Sequence, residues 1–542
     1  MKKRRQLVVI FLIILSIFLT ACSTEEVDPI EEEETKENIE NYEPADGGTL
    51  NLSVTRFNTF NPLFNNNYSL FQLHHLIYEG LVTFDPNMDI KPKLAIDWTI
   101  AQDGQSIQFT LRDGVTWHDG KPLTAEDVIF TVNLIKGNIR NAKGTSIFRT
   151  SLQQISDIRE IKDGVINVTF SSPFSNALEV MTFPILPKHL FEGNNIEKLN
   201  SPNFPMVGTG PYQLDQYETM RKIKLTKNKN YWGQVPYIQD IEVTIVPDLE
   251  AQLSVFENGD IDVAQPISID WAKYMENRNV KVYEYVSNNY EFLGLNFRNS
   301  ILRDKNIRKA IAYGIDRHKL INNIYLGHGT VVDGPIYPLS LLYDEGSLQY
   351  GYNRDQAEAL LQESGYELDR ENNTRSNGNG DTLNFTLISN KNNVLREKTV
   401  FFIEDELEAI GIKIDVELLD WEELNERIAR GNFDIVLGGW ELAYLPDLSF
   451  AFHSRQLGGS NFIAYNNEEM DELLEEAFSA AGLTAKQQAY SQLQIHIAEE
   501  LPYVSLFFKN GAIVVRDKVK GEFKPSHYNL FYGIEEWYIN TK

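Results

Sequence analysis

Few positions in this 542-residue chain set reactive side chains at the spacings that catalysis requires. Trp117-His118-Asp119-Gly120 puts an imidazole next to a carboxylate, the pairing of a general base and its partner. The Asp-Gly step suits a tight turn between a strand and a helix better, and it predicts an exposed His118. His74 and His75 are adjacent and not four apart on a helix, and the other histidines stand singly, so no metal site is expected. No GxSxG, HExxH, Walker A or EF-hand pattern occurs, and the GxG starts at Gly208, Gly327 and Gly378 lack the third glycine of a dinucleotide loop. Neither an enzyme nor a cofactor is expected on this reading.

The chemistry of Cys22 follows from its position. As the only cysteine it can join neither an intrachain disulfide nor a CxxC metal site. It follows a basic start, Lys2 to Arg5, and an apolar run from Leu7 to Leu19 broken only by Ser16, a pattern too short to span a bilayer comfortably and typical of a secretory signal. Leu19-Thr20-Ala21-Cys22 resembles a bacterial lipobox, in which the cysteine is acylated and cleavage precedes it. Residues 1–21 are therefore expected to be removed and Cys22 lipidated, which puts the chain on the outer face of a cell membrane with the lipid as its only membrane contact. Eleven acidic residues and the single base Lys36 lie between Ser23 and Asp46, so residues 22–46 are expected to form a solvated tether.

The elements that must position any site lie beyond that tether. Hydrophobic residues make up 42% of the chain and charged ones 23%, enough for packed cores, and the length calls for more than one. The formal charge of −27, less the four bases of residues 1–21, becomes −31, which disfavours nucleic acid as a partner and suits a soluble monomer. Ile107, Phe109 and Leu111 alternate as in a strand; Thr124 then caps a helix carrying Val128, Thr131, Val132 and Ile135 on one face. Val400 to Ile410 reads as a helix ended by Gly411, Ile412 to Leu418 as a strand, Glu422 to Arg430 as a helix and Phe433 to Leu437 as a strand. The succession implies an α/β lobe with a partly parallel sheet. Among 25 Tyr, 30 Phe and 7 Trp, a few are available to floor a ligand cleft.

Residues 94–130, LAIDWTIAQDGQSIQFTLRDGVTWHDGKPLTAEDVIF, resemble the signature of the family 5 extracellular solute-binding proteins, receptors for oligopeptides, dipeptides and nickel in ABC importers. Gly208-Thr209-Gly210-Pro211-Tyr212, Asn228-Lys229-Asn230-Tyr231-Trp232, Phe256 to Asp262, Ile307 to Arg317 and Gly439-Trp440 follow in the family's order. The resemblance implies an α/β, bilobed periplasmic-binding-protein-like fold of the large three-domain type, with a two-strand hinge. Lobe I would comprise residues 47–290 and 505–542, with an inserted domain near 77–204; lobe II would comprise 291–504, with crossings near Glu291 and Tyr503. The implied partners are an oligopeptide-like ligand and the ABC permease transmembrane subunits. A blocked peptide, a sugar oligomer or a metal chelate remains an alternative cargo, and a hydrolase or chaperone an alternative role.

The positions matching the family's binding site are Phe57, Tyr290, Trp421, Gly439, Trp440, Glu441 and Tyr444. Peptide receptors of the family carry an aspartate three residues after the Trp440 position, where it pairs with the ligand's ammonium; here that residue is Ala443. Glu441 and Asp447 are the nearest acids. If the segment is extended, Glu441 shares a face with Ala443 and becomes the expected amine anchor, with Trp440 and Tyr444 packing the first ligand residues.

Overall fold

The computed structural model describes residues 44–139, 145–201 and 204–540. The expected signal segment, Cys22 and the tether as far as residue 43 lie outside the described residues. Among those residues no helix is long and apolar enough to cross a membrane.

Alternating apolar side chains build the sheets. Leu50, Leu52 and Val54 are buried on Thr49–Thr55, which runs parallel to Asp240–Val246; Lys222–Lys227 and Tyr212–Glu218 complete this four-stranded sheet. A second sheet, antiparallel, orders Ala95–Ile100, Ser106–Leu111, Val165–Phe170 and Ile155–Lys162, with Ile107 and Phe109 fully buried as their alternation predicts. Against it packs the helix Ala125–Lys136. The Thr124 N–H donates to Asp127 Oδ2 at 2.9 Å to form a capping box, and Gly137, at φ +79°, closes the far end.

The Trp117–Gly120 segment is a turn, with Gly120 at φ +83°, but His118 is not exposed. The Gly208 N–H donates to His118 Nδ1 at 3.1 Å, and His118 Nε2 lies 3.0 Å from the Gly210 carbonyl, so the imidazole braces the Gly208-Thr209-Gly210 loop. The same loop helps to surround Glu79, whose side chain is fully buried. Its carboxylate accepts hydrogen bonds from Thr209 Oγ1, Tyr231 OH and Trp232 Nε1, each at 2.8 Å, and pairs with Lys93 Nζ at 3.2 Å. Two of the motifs separated in sequence thus converge on one charge. Glu79→Gln turns one acceptor into a donor that faces donors, so we expect a loss of about 3 kcal/mol, read as a lower denaturant midpoint at unchanged slope.

The largest sheet is seven-stranded and organised by two long antiparallel strands, Val280–Leu295 and Tyr503–Arg516. Ile435–Glu441 pairs antiparallel with the first of these, and Asn384–Asn390 and Lys413–Leu419 extend the sheet in parallel. The helix Val394–Glu408 bridges the parallel pair, and Gly411, at φ +85°, turns the chain back as expected. Buried apolar residues fall into two groups along the long strands. One draws on residues 50–285 and 512–539, the other on 286–508.

Between the two groups the strands lose register, from Val286 opposite Asn510 to Tyr290 opposite Phe508. Just beyond the break Glu291 accepts from Arg396 Nε at 3.1 Å and Nη2 at 3.0 Å, with Lys509 Nζ at 2.6 Å. Deeper in the second group, Arg317 ties four segments together. Its Nη1 donates to Asp333 Oδ1 at 2.5 Å and to the carbonyls of Val332 at 2.7 Å and Ser505 at 3.1 Å, and its Nη2 to the Tyr350 carbonyl. Asp333 Oδ2 accepts the N–H groups of Gln349 at 2.6 Å and Tyr350 at 2.9 Å.

Candidate functional site

Where the two groups face each other they enclose a cleft of about 610 Å³. One wall comes from residues 84–178, with Phe84, Trp98, Phe174 and Leu178; the other comes from residues 336–450, with Ile336, Leu342 and Phe450 of the second group and Leu445, which packs against the first. Asn288, at the register break, lies at its back: the Leu442 N–H donates to the Asn288 carbonyl at 2.9 Å, and Asn288 Nδ2 donates to the Leu442 carbonyl at 2.8 Å. This exchange prolongs the Ile435–Glu441 pairing by one residue before the chain turns.

Contacts cross the cleft mouth. The Leu341 N–H donates to Asp89 Oδ1 at 3.0 Å, the Ser175 N–H donates to the Phe478 carbonyl at 2.8 Å, and the Phe174 and Phe478 rings lie 5.2 Å apart. Glu179 Oε1 pairs with Lys486 Nζ, with 13% and 6% of the side chains exposed. A Cβ on Gly104 would lie 2.9 Å from Ala481 Cβ. At these points the two walls touch directly.

Of the expected site residues, Tyr444 and Asp447 line this cleft, as does Ala443. Asp447 Oδ1 accepts the Ser449 N–H at 2.9 Å. Tyr444 separates the cleft from a second cavity of about 670 Å³ and borders both. Glu441 does not share the side of Ala443. The strand ends at Glu441, the chain bends at Tyr444 and Leu445, and Glu441 borders the second cavity with 71% of its side chain exposed, 3.8 Å from His527 Nε2.

The remaining expected residues line neither cavity. Tyr290 is fully buried, its hydroxyl 2.6 Å from Ser505 Oγ and its ring 5.3 Å from Phe292. Phe57 packs 4.5 Å from Phe60. A Cβ at Gly439 would lie 2.5 Å from Arg396 Nη2, so the glycine admits the Arg396–Glu291 pair. Trp440 donates from Nε1 to the Tyr503 hydroxyl at 3.4 Å and meets Phe450 edge to face at 5.2 Å. Trp421 is 63% exposed at the first turn of the helix Trp421–Arg430. The sequence reading missed Asp89, Glu179, Lys486 and Ala481; each is an ordinary residue in a loop or helix, and no local pattern sets it apart.

No cluster of three or more His, Cys, Asp or Glu among the described residues is arranged to hold a metal ion. The second cavity instead borders buried neutral imidazoles. Burial, reinforced by the charge of neighbouring His75, lowers His74 to about 3; burial lowers His75 to about 4 and, beside the cleft, His527 to about 4. All three folded values lie below the unfolded value of 6.5, so the unfolded chain takes up protons first as the pH falls. Their stabilisation is complete above pH 6.5 and is lost as the pH falls from there to about 4 for His75 and His527 and to about 3 for His74, at roughly 1.4 kcal/mol per pH unit for each. Thermal melts at pH 7 and pH 5 should record the drop, and His74→Phe should flatten it by removing one of the three contributions.

Residues 89–462 match the family model for bacterial extracellular solute-binding proteins, family 5 Middle. The chain is 27% identical to the oligopeptide-binding protein AppA of Bacillus subtilis (strain 168), in an alignment covering 99% of this chain and 100% of the relative. The solved structure of Bacillus subtilis AppA in complex with a nonapeptide aligns at 26% identity and a TM-score of 0.62, covering 92% of this chain and 100% of that one. HbpA2 from Haemophilus parasuis shares the fold at 22% identity, with a TM-score of 0.79 over 91% of this chain and 100% of that one.

Proposed function

Because the chain belongs to the bacterial extracellular solute-binding proteins of family 5, we propose that it captures short oligopeptides rich in apolar side chains and delivers them intact to the transmembrane subunits of an ABC importer. The observation that carries this reading is the cleft between the two apolar groups: its volume suits a compact ligand, its walls are mostly apolar, and each wall comes from a different part of the chain. The relatives support it, since one is named for oligopeptide binding and its solved structure holds a nonapeptide. On this reading lobe I comprises residues 47–290 and 505–542, with an inserted domain near 77–204, and lobe II comprises 291–504. The two long strands bend where their register breaks, and closure engulfs the cargo. Tyr444 and Asp447 face the cargo, Glu441 serves the annex behind Tyr444, and Phe57, Tyr290, Gly439 and Trp440 stiffen the frame.

Native mass spectrometry of the protein mixed with unprotected tri- to pentapeptides tests the proposal. Peptides retained and then recovered at unchanged mass support it. Retention of none argues for a different cargo, and recovery of cleaved products argues for a hydrolase.

The protein acts as a monomer tethered through a lipid on Cys22, a reading supported by the signal-like run that ends in the chain's only cysteine. Cys22→Ala should abolish metabolic labelling by fatty acid, while a chain starting at Gly47 should melt and bind as the full-length protein does. Failure of that shortened chain to fold would show that the preceding segment does more than tether.

A further inference from the structure

The charged groups bordering the cleft are mostly engaged. Asp89 accepts the Leu341 N–H, Lys91 pairs with Asp85 at 3.1 Å, and Asp447 caps Ser449. Burial keeps His527 neutral near pH 7. Glu179 differs. Its Oε1 meets Lys486 from across the cleft, while Oε2 is buried without a hydrogen-bond partner. Asn288 Oδ1, on a residue that lines the same cleft, is also buried without a partner, whereas Ser175 and Asn176 interact with the Tyr490 hydroxyl. Buried polar atoms are nearly always paired, and carboxylate and amide oxygens are acceptors only. An acceptor-rich wall calls for a donor-rich ligand, and a primary ammonium brings three N–H groups and the charge that a carboxylate favours.

We infer, on the oligopeptide reading above, that Glu179 binds the cargo's protonated amine on Oε2 while Lys486 holds Oε1, so one carboxylate both reads the cargo and fastens the closed form. Oε2 is buried in this structure, so a partial rotation of the carboxyl about its soft terminal bond exposes it to the cleft while the flexible Lys486 side chain follows Oε1. The arrangement supplies a counter-charge on the wall opposite Ala443, where the family's aspartate is missing. Because Glu179 and Lys486 sit in different lobes, only a closing protein assembles the full set.

Calorimetry with Leu-Leu-Leu and N-acetyl-Leu-Leu-Leu tests the assignment. Wild type should prefer the free amine at least tenfold; Glu179→Gln should bring the ratio close to one. Lys486→Met should weaken both peptides yet keep the preference, because Lys486 reaches only the other oxygen. Glu179→Asp, which keeps the charge on a shorter arm, should retain a reduced preference, and it carries the test if the amide variant does not fold. The inference is overturned if Glu179→Gln keeps the wild-type ratio, if Glu179→Asp prefers the acetylated form, or if the Gln and Met variants weaken both peptides alike, which would leave only a latch. A wild type that binds both peptides equally overturns it and spares the oligopeptide reading; one that binds neither overturns both.

Discussion

Ala481→Trp should leave the protein folded and cost it at least a hundredfold in affinity for a bound peptide. In the closed arrangement Gly104 and Ala481 meet across the cleft mouth with no room even for a methyl group on the glycine. An indole has nowhere to go unless the lobes part, and overpacking of this kind typically costs 1–3 kcal/mol or more. Affinity falls by the fraction of molecules still able to close, and about 2.7 kcal/mol corresponds to a factor of a hundred. Two measurements separate this from misfolding. The melting midpoint should stay within a few degrees of wild type, and small-angle scattering with saturating peptide should show a shrinking radius of gyration for wild type and none for the variant. Normal affinity in Ala481→Trp would mean that binding needs no contact at this point.

Arg317→Met should unfold the second lobe about 10 °C earlier. The substitution strands the Asp333 carboxylate, only 2% exposed, with its guanidinium partner gone, and removes donors from the carbonyls of Val332, Tyr350 and Ser505. Breaking a buried pair on one side typically costs about 3–5 kcal/mol, and for a lobe of this size each kcal/mol shifts the midpoint by roughly 2–4 °C. Arg317→Met with Asp333→Leu should recover much of the loss, because no charge is then left unpaired. If the double variant melts as low as the single one, the carbonyl contacts and not the ion pair hold these segments together.

Local features were legible in the sequence. Thr124 with Asp127 three residues on, and Gly411 after an apolar stripe, are signals carried within one turn of chain: the first helix begins at Ala125 as its cap predicts, and the second ends shortly before Gly411, but it starts at Val394, six residues ahead of the Val400 that the apolar stripe marked. The motif Gly208-Thr209-Gly210 was visible, but its physical task was not: it helps to hold Glu79, about 130 residues upstream, which no spacing rule connects to it. His118 was misjudged for the same reason, since its partners Gly208 and Gly210 are about 90 residues away. Tyr444 and Asp447 line the cleft, whereas Glu441 turns away because Asn288, 154 residues earlier, captures both backbone groups of Leu442. The cleft itself is assembled from seven separated stretches between residues 84 and 486, together with Phe508 and His527, each unremarkable alone.

The apolar group around Leu50 draws on both ends of the described chain. Gln72 accepts the N–H of Leu530 at 2.8 Å across 458 residues, Trp537 is fully buried in the same apolar group as Leu50, and the chain at Gly48 passes close to Ile539, where an added Cβ would lie 2.9 Å from its Cβ. At about 5–20 residues per second a ribosome needs on the order of half a minute or longer to supply the second half of that contact. Until then the apolar group of Leu50, Leu52 and Val54 lacks Leu530, Ile534, Trp537 and Ile539, although Asp240–Val246 is already there to pair with Thr49–Thr55, whereas residues 286–508 contain their own apolar groups. Such high contact order makes the first lobe the slow one to form. A nascent chain built this way cannot finish packing its leading end until synthesis is nearly over, and until then the surfaces that Trp537 and Ile539 will cover stay open to aggregation.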